Sequence, residues 1–127
     1  MIVIALIFAA LAALIHVYIF WLESFAWTTP RGLATFGMNE DQATATKELA
    51  FNQGFYNLFL AVVTAAGIVA TAVGRHGIGA ALIIAGCGSM VAAGLVLFIS
   101  SPSKARAALI QLVPPALALL FLALASF

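Results

Sequence analysis

The chain has 127 residues, of which 65% are hydrophobic and only 7% are charged. Because a soluble domain carries about 25% charged residues, this composition argues against a soluble protein and predicts an integral membrane protein. The formal net charge of +1 gives no basis for a nucleic-acid partner, and the length suits a single domain that spans residues 1–127.

Four apolar segments follow one another along the chain, and each is long enough to cross a membrane. A helix needs about 20 apolar residues to span a hydrocarbon core of about 30 Å. The N-terminal segment lacks the cationic start and the short apolar region of a cleaved signal peptide, so we interpret it as a retained helix. The predicted helices cover residues of about 2–27, 40–73, 78–99 and 105–127.

Turn and capping residues indicate where the first two helices meet. Pro30 and Gly32 are expected to stop the first helix and to open a loop of about residues 28–45. The second helix is strongly apolar only in its later part, but Asn39 and Gln42 have the spacing of an N-cap and its capping-box partner. We therefore expect the second helix to begin near Glu40.

The other two connections are short, so consecutive helices should be antiparallel neighbours. Pro114 and Pro115 predict a kink within the fourth helix. The expected fold class is therefore all-α, an integral membrane bundle of four transmembrane helices.

Basic residues are distributed unevenly between the two ends of this bundle. The end that holds the first and third loops carries Arg31, Lys47, Lys104 and Arg106, whereas the opposite end carries only Arg75. Because cytoplasmic loops of membrane proteins are enriched in Lys and Arg, we expect the first and third loops in the cytoplasm. Both termini would then face outward.

Polar side chains on the first predicted helix are the first candidates for a site, because ionisable groups are costly inside a membrane. His16 and Glu23 lie two turns apart on one face, about 10 Å along the axis, and Trp27 continues the same stripe. At that separation the two side chains are not expected to bond each other. Water, a ligand or groups from another helix should lie between them.

The second predicted helix supplies a matching set. Asn52 and Tyr56 are one helical turn apart, and Gln53 and Asn57 form the adjacent pair with the same spacing. Antiparallel packing would bring this half of the second helix beside Glu23. We therefore predict a ligand-binding cluster of His16, Glu23, Trp27, Asn52, Gln53, Tyr56 and Asn57.

Each member of this cluster also has a structural interpretation. Glu23 could pair with Lys47 or Arg31, and His16 could donate one hydrogen bond to another helix. Asparagine and glutamine side chains join membrane helices in many bundles. His16 and His76 are expected at different membrane depths, and no recognised metal-binding or cofactor-binding motif is present, so no metal and no cofactor are predicted.

Small residues form a stripe on the third predicted helix. Ala85, Ser89 and Ala93 have the small-xxx-small spacing that allows close helix packing. We expect this face to pack inside the bundle, with a homo-oligomer as the alternative. Cys87 in the same helix is interpreted as a small buried hydrophobic residue.

Two blocks of sequence carry a resemblance to a known family. The first block reads HVYIFWLE at 16–23, FAWTTPRG at 25–32 and FG at 36–37, and the second reads AxNQGxYN at 50–57. Together they resemble a family of small bacterial membrane proteins catalogued as domain of unknown function 1304. The resemblance spans essentially the whole chain, although the second half matches only as apolar helices.

This resemblance implies a four-helix protein of the bacterial inner membrane, and it supplies no established activity and no catalytic residues. Three functions stay open. The preferred hypothesis is binding of a small polar molecule or a lipid headgroup, with transport as an extension and membrane lipids as partners. The alternatives are a structural protein whose polar groups only join helices, and an enzyme that uses His16 and Glu23 as acid and base.

Overall fold

The computed structural model describes residues 1–126, and these residues form helices without any strand. The helices are α1 (Ile2–Ser24), α2 (Pro30–Phe36), α3 (Glu40–Ala72), α4 (His76–Ser100) and α5 (Ala105–Ser126), with one turn of 3-10 helix at Pro102–Lys104. Four of them, α1, α3, α4 and α5, are long and apolar enough to cross a membrane. The all-α class is confirmed, and the helices fit a multi-pass membrane protein. The predicted end of the last helix at Phe127 lies outside the described residues.

The segment predicted as the first loop is largely helical. α1 ends at Ser24, and Pro30 begins α2 instead of only stopping α1. Thr29 is the N-cap of α2 and its hydroxyl accepts a bond from the Gly32 amide, while Pro30 occupies a first-turn position where its missing N–H costs nothing. Gly37 ends α2 in the left-handed conformation, with φ of 63°. The predicted loop of residues 28–45 was therefore wrong, because a start signal was interpreted only as a stop.

The start of α3 agrees with the prediction. The Asn39 side chain accepts from the Gln42 amide at 2.8 Å, and the Gln42 side chain accepts from the Asn39 amide at 3.0 Å. These two bonds form the complete capping box. At about 1.5 Å per residue, the 33 residues of α3 extend about 50 Å, so its first turns project beyond a hydrocarbon core of about 30 Å.

The four long helices form a closed ring in the order α1, α3, α4, α5, and each packs mainly against its two neighbours. Ser24 at the end of α1 contacts Phe51 near the start of α3. Gly67 of α3 faces Ile83 of α4. Gly94 of α4 faces Leu112 of α5. Phe8 of α1 stacks on Phe121 of α5, with ring centroids 5.8 Å apart. Neighbouring helices are therefore antiparallel, as predicted.

Small side chains dominate the interior of the ring. Ala5, Ala9 and Ala12 line the inner face of α1 and are almost completely buried. They pack against Ile83, Cys87 and Met90 of α4 and against Ala118 and Leu122 of α5. Alanine on one helix and longer side chains on the facing helices allow close interhelical contact.

The small-residue stripe of α4 does not pack as predicted. Ala85, Ser89 and Ala93 are exposed on the outside of the ring. A neighbouring stripe that includes Gly79 and Gly86 faces α3 instead, and a Cβ atom at either glycine would collide with a threonine of α3. Glycine permits a closer backbone approach than alanine, so the glycine stripe takes the inner position. Association of two copies through the exposed stripe stays a prediction.

α5 continues from Ala105 to Ser126 through Pro114 and Pro115. Because proline has no N–H group, the carbonyls of Ile110 and Gln111 lose their usual helical donors. The prolines do not divide the helix, and the kink expected at them stays a prediction.

The α3–α4 contact generates a stability prediction. At Gly67 a Cβ atom would lie 2.8 Å from the Ile83 side chain, 2.9 Å from the Ile83 amide nitrogen and 3.0 Å from the Gly79 carbonyl oxygen. Because two of these three neighbours are backbone atoms, Gly67→Ala should lower the free energy of unfolding by about 1–3 kcal/mol. The measurement is unfolding by sodium dodecyl sulfate in mixed micelles, followed by circular dichroism.

Gly88→Ala is the matched control, because a Cβ atom at Gly88 would meet nothing within 4 Å. Alanine has a higher helix propensity than glycine, so this variant should be neutral or stabilised by up to about 1 kcal/mol. Equal unfolding midpoints for the two variants would contradict the close α3–α4 approach.

Candidate functional site

Glu23 and Asn57 form the centre of the candidate site. Antiparallel packing of α1 on α3 brings them together, and Asn57 Nδ2 donates to Glu23 Oε1 at 3.0 Å. The Glu23 side chain is only 5% exposed. Its partner is therefore an amide of the neighbouring helix, whereas Arg31, one of the cations considered from the sequence, donates to the Tyr18 hydroxyl at 3.1 Å.

The second oxygen of the same carboxyl group has no partner. Among the described residues, Glu23 Oε2 is the one buried side-chain oxygen or nitrogen without a hydrogen bond. An unsatisfied buried polar atom costs about 1–3 kcal/mol, and more when it is charged. The atom is therefore expected to have a function, or to have a partner that is not part of the protein.

A close contact between α1 and α3 explains why Glu23 is buried. Ser24 Oγ donates to the Phe51 carbonyl at 2.8 Å, and it lies where a side chain at Gly54 would project. Only glycine fits at this position of α3. Ser24 was not among the predicted site residues, although its place beside Glu23 in the sequence gave a weak signal.

His16 lies deeper in the bundle, on the same helix as Glu23. It is 1% exposed, and its Nδ1 atom is 2.8 Å from the Ala12 carbonyl of its own helix. Since a carbonyl oxygen can only accept, Nδ1 carries the proton, and Nε2 of the neutral ring is an acceptor. The hydrogen bond of His16 therefore stays within α1 and does not join two helices.

The remaining predicted residues separate into two groups. Asn52 and Tyr56 are exposed, and Tyr56 is 70% exposed on the outer side of α3. Gln53 and Trp27 both line a depression of about 670 Å³. It lies at the end of the bundle where α1 connects to α3 and α4 connects to α5, which we call the loop end. We call this feature the α2–α3 depression, because its other lining residues come mostly from α2, α3 and the short segment between them. The structure thus brings Glu23, Asn57, Gln53 and Trp27 to one end of the bundle.

Trp27 follows Glu23 by four residues and lines the depression. Its Nε1 atom donates to Thr46 Oγ1 at 3.0 Å, and its ring packs on Phe36 with centroids 4.9 Å apart. Gln53 precedes Asn57 by one helical turn on α3, and the Asn57 side chain also donates to the Gln53 carbonyl at 3.3 Å. The depression therefore lies about one turn above the unpaired carboxyl oxygen, on the side of the loops.

Sequence reasoning missed Phe36 and Thr46, which position the Trp27 ring. Phe36 was missed because α2 was not predicted. Its signal was the Thr29-Pro30 pair, an N-cap followed by a proline in the first turn. Thr46 had no recognisable signal, because a threonine in the first turns of a helix is ordinary.

Metal coordination has no evident location in the part of the chain that the structure describes. Residues 1–126 contain no group of three or more His, Cys, Asp or Glu side chains that could hold a metal ion. The site can form hydrogen bonds through the Glu23 carboxyl group and the side-chain amides of Gln53 and Asn57.

The Glu23–Asn57 bond generates a second stability prediction. Asn57→Leu removes the donor to Glu23 Oε1 and leaves both oxygens of a buried carboxyl group unpaired. We expect the free energy of unfolding to fall by about 1–3 kcal/mol. Unfolding of the purified protein in mixed micelles measures the effect.

The double variant Glu23→Leu with Asn57→Leu should recover most of that loss, because both polar partners are then replaced by apolar groups. Asn52→Leu, on the exposed side of α3, is the control and should change little. A loss at residue 52 as large as at residue 57 would contradict the assignment.

Comparison with known proteins gives one family. A model of the family described as protein of unknown function (DUF1304) matches residues 10–123. Neither the curated proteins nor the solved structures gave a match. The match covers α2, α3 and α4, most of α5, and residues 10–24 of α1, so it contains the Glu23–Asn57 pair. The chain therefore belongs to the DUF1304 family of proteins of unknown function.

Proposed function

We propose that this protein binds a small polar molecule or a lipid headgroup, and that an O–H or N–H group of this ligand bonds to Glu23 Oε2. The observation that carries the proposal is the buried Oε2 atom without a partner. An ionised carboxyl oxygen needs a donor and a protonated one needs an acceptor, so a hydroxyl group could serve either state.

The position of Glu23 along α1 supports a ligand from the membrane boundary. Glu23 is next to the last residue of α1, where a spanning helix reaches the headgroup region. Placing an ionisable side chain at the centre of a membrane helix costs about 2.5–3.5 kcal/mol, and the cost falls towards the ends. A lipid headgroup or a small polar solute can reach this depth from the α2–α3 depression.

We infer that the ligand reaches Glu23 past the side chain of Trp27. Trp27 lines the depression, and its ring is held by the bond to Thr46. This bond is exposed, so its opening requires little desolvation. We infer that the ligand enters when Trp27 swings away from Thr46.

A structural function is the second candidate, and specific contacts favour it. The bond from Asn57 to Glu23 and the bond from Ser24 to Phe51 both join α1 to α3. On this account the polar groups only hold the helices together, and Oε2 needs no ligand. An acid–base pair of His16 and Glu23 has less support, because His16 bonds within α1 whereas Glu23 bonds to α3. Transport through the bundle stays a prediction.

The binding proposal is tested with Glu23→Gln. In this variant the amide oxygen still accepts from Asn57, while the Oε2 position becomes an N–H donor. We expect a small molecule or lipid that copurifies with the wild-type protein to fall by about tenfold or more, the loss of one hydrogen bond to a charged group. Solvent extraction and mass spectrometry of the purified protein measure the ratio of ligand to protein.

Glu48→Gln is the matched control, because Glu48 is exposed on the same end of α3, and it should retain the ligand. If the polar groups only join helices, the wild type, Glu23→Gln and Glu48→Gln should give identical extracts and equal free energies of unfolding. That outcome would overturn the binding proposal and leave the helix-joining role.

We also propose an orientation in which the loop end of the bundle faces the cytoplasm of a bacterial cell and both termini face outward. Arg31, Lys47, Lys104 and Arg106 lie at the loop end, and Arg75 lies at the other end. This asymmetry supports the assignment through the enrichment of basic residues in cytoplasmic loops.

Cysteine labelling in intact bacterial cells tests the orientation. Cys87 is buried and gives a low background. Gly77→Cys, at an exposed position where a Cβ atom meets nothing within 4 Å, should react with a membrane-impermeant maleimide. Ser103→Cys should react only after the cells are permeabilised. The reverse pattern would show that the loop end faces outward.

A further inference from the structure

A second cavity lies between α1, α2 and the start of α5, and its volume is about 520 Å³. We call it the α1–α5 cavity. It shares a wall with the α2–α3 depression, formed by Phe36, Gly37, Ser103 and Lys104. Neither Glu23 nor Asn57 lines it, so the Glu23–Asn57 pair lies outside this cavity.

The charge of the α1–α5 cavity is positive. Lys104 and Arg106 both line it, and none of its described lining residues is acidic. A third cation is held at its edge, because Tyr18 lines the cavity and its hydroxyl accepts from Arg31 at 3.1 Å. A concave site with two lining cations and no carboxyl group favours an anionic ligand.

The deeper wall of the same cavity is mainly apolar, with Gln111 as its polar residue. Ile15 and Ile19 of α1 line it, together with Ile110 of α5. On α5, Ile110 follows Arg106 by one helical turn, which is about 6 Å further from the loop end. On α1, which runs in the opposite direction, Ile15 lies one turn further from the loop end than Ile19. This arrangement puts the positive charge at the loop end and the apolar surface towards the centre of the bundle.

We propose that the α1–α5 cavity binds one anionic phospholipid. Its phosphate lies against Lys104 and Arg106, and an acyl chain lies along Ile15, Ile19 and Ile110. A soluble anion would use the two cations but leave the apolar wall uncovered, whereas a phospholipid covers both. The order of charge and apolar surface along the bundle axis is also the order of headgroup and acyl chain within a membrane leaflet.

Native mass spectrometry of the full chain in a non-ionic detergent tests this proposal, with phosphatidylglycerol as the probe. The wild-type protein should bind one phosphatidylglycerol more tightly than phosphatidylcholine. Because each cation near an anionic lipid contributes about fivefold in affinity, the double variant Lys104→Gln with Arg106→Gln should bind phosphatidylglycerol about 25-fold more weakly. Lys47→Gln, on the same end of the bundle but outside the cavity, should bind as the wild type does.

A second variant reduces the volume of the α1–α5 cavity without changing its charge. Ala34 is exposed and lines the cavity from α2, so Ala34→Trp should fill it and reduce lipid binding while both cations remain. Inorganic phosphate added in excess should not displace the lipid. Displacement by phosphate would mean that the site binds a free anion and would overturn the proposal.

Equal binding of phosphatidylglycerol by the wild-type and double-variant proteins would also overturn it, as would equal affinity for phosphatidylcholine. Ala34 lines the α1–α5 cavity and not the α2–α3 depression, so Ala34→Trp tests this inference alone, and its failure is distinguishable from failure of the proposed function.

Discussion

Close approach of neighbouring helices through small residues is the constraint on which the rest of this structure depends. Within a membrane the hydrophobic effect gives helices little reason to associate, so packing contacts and hydrogen bonds must hold them. Here α1 meets α3 at Gly54, α3 meets α4 at Gly67, and α4 meets α5 at Gly94, and a Cβ atom at any of these glycines would collide with the neighbouring helix. Three of the four contacts in the ring depend on these positions, and stacking of Phe8 on Phe121 joins α5 to α1.

The same close approach creates the candidate site. With Ser24 occupying the space beside Gly54, the adjacent Glu23 is enclosed between α1 and α3. Asn57 supplies one hydrogen bond, and no second donor among the described residues bonds to Oε2. The buried unpaired oxygen is therefore a consequence of the helix packing and not of a flexible loop. The α2–α3 depression lies about one helical turn from this atom along α3, on the side of Gln53.

Local signals in the sequence predicted much of the fold. Long apolar segments predicted the four spanning helices, and the Asn39–Gln42 spacing predicted the start of α3, because each depends on neighbouring residues only. The same kind of signal was misinterpreted at Pro30, where a proline that follows an N-cap begins a helix. Both the success and the error concern interactions within a few residues of the chain.

Rotation of each helix about its own axis could not be predicted in the same way. Asn52 and Asn57 both lie on the polar half of α3, yet only Asn57 contacts Glu23, because the contact at Gly54 fixes which side of α3 faces α1. On α4 the stripe of Ala85, Ser89 and Ala93 competes with the neighbouring glycine stripe, and the closer approach at the glycines decides the rotation. The rotation of each helix depends on contacts between residues that are distant in the sequence, so hydrophobic periodicity alone does not predict it.

The surroundings of Glu23 Oε2 are the most direct test of the account. The decisive measurement is an experimental density map of the protein purified in native lipids, at a resolution that separates the two carboxyl oxygens. The account predicts density for a non-protein group within hydrogen-bonding distance of Oε2, connected to the α2–α3 depression beside a displaced Trp27 ring. A map in which Oε2 is paired with a protein donor, with no space for a ligand beside it, would contradict it.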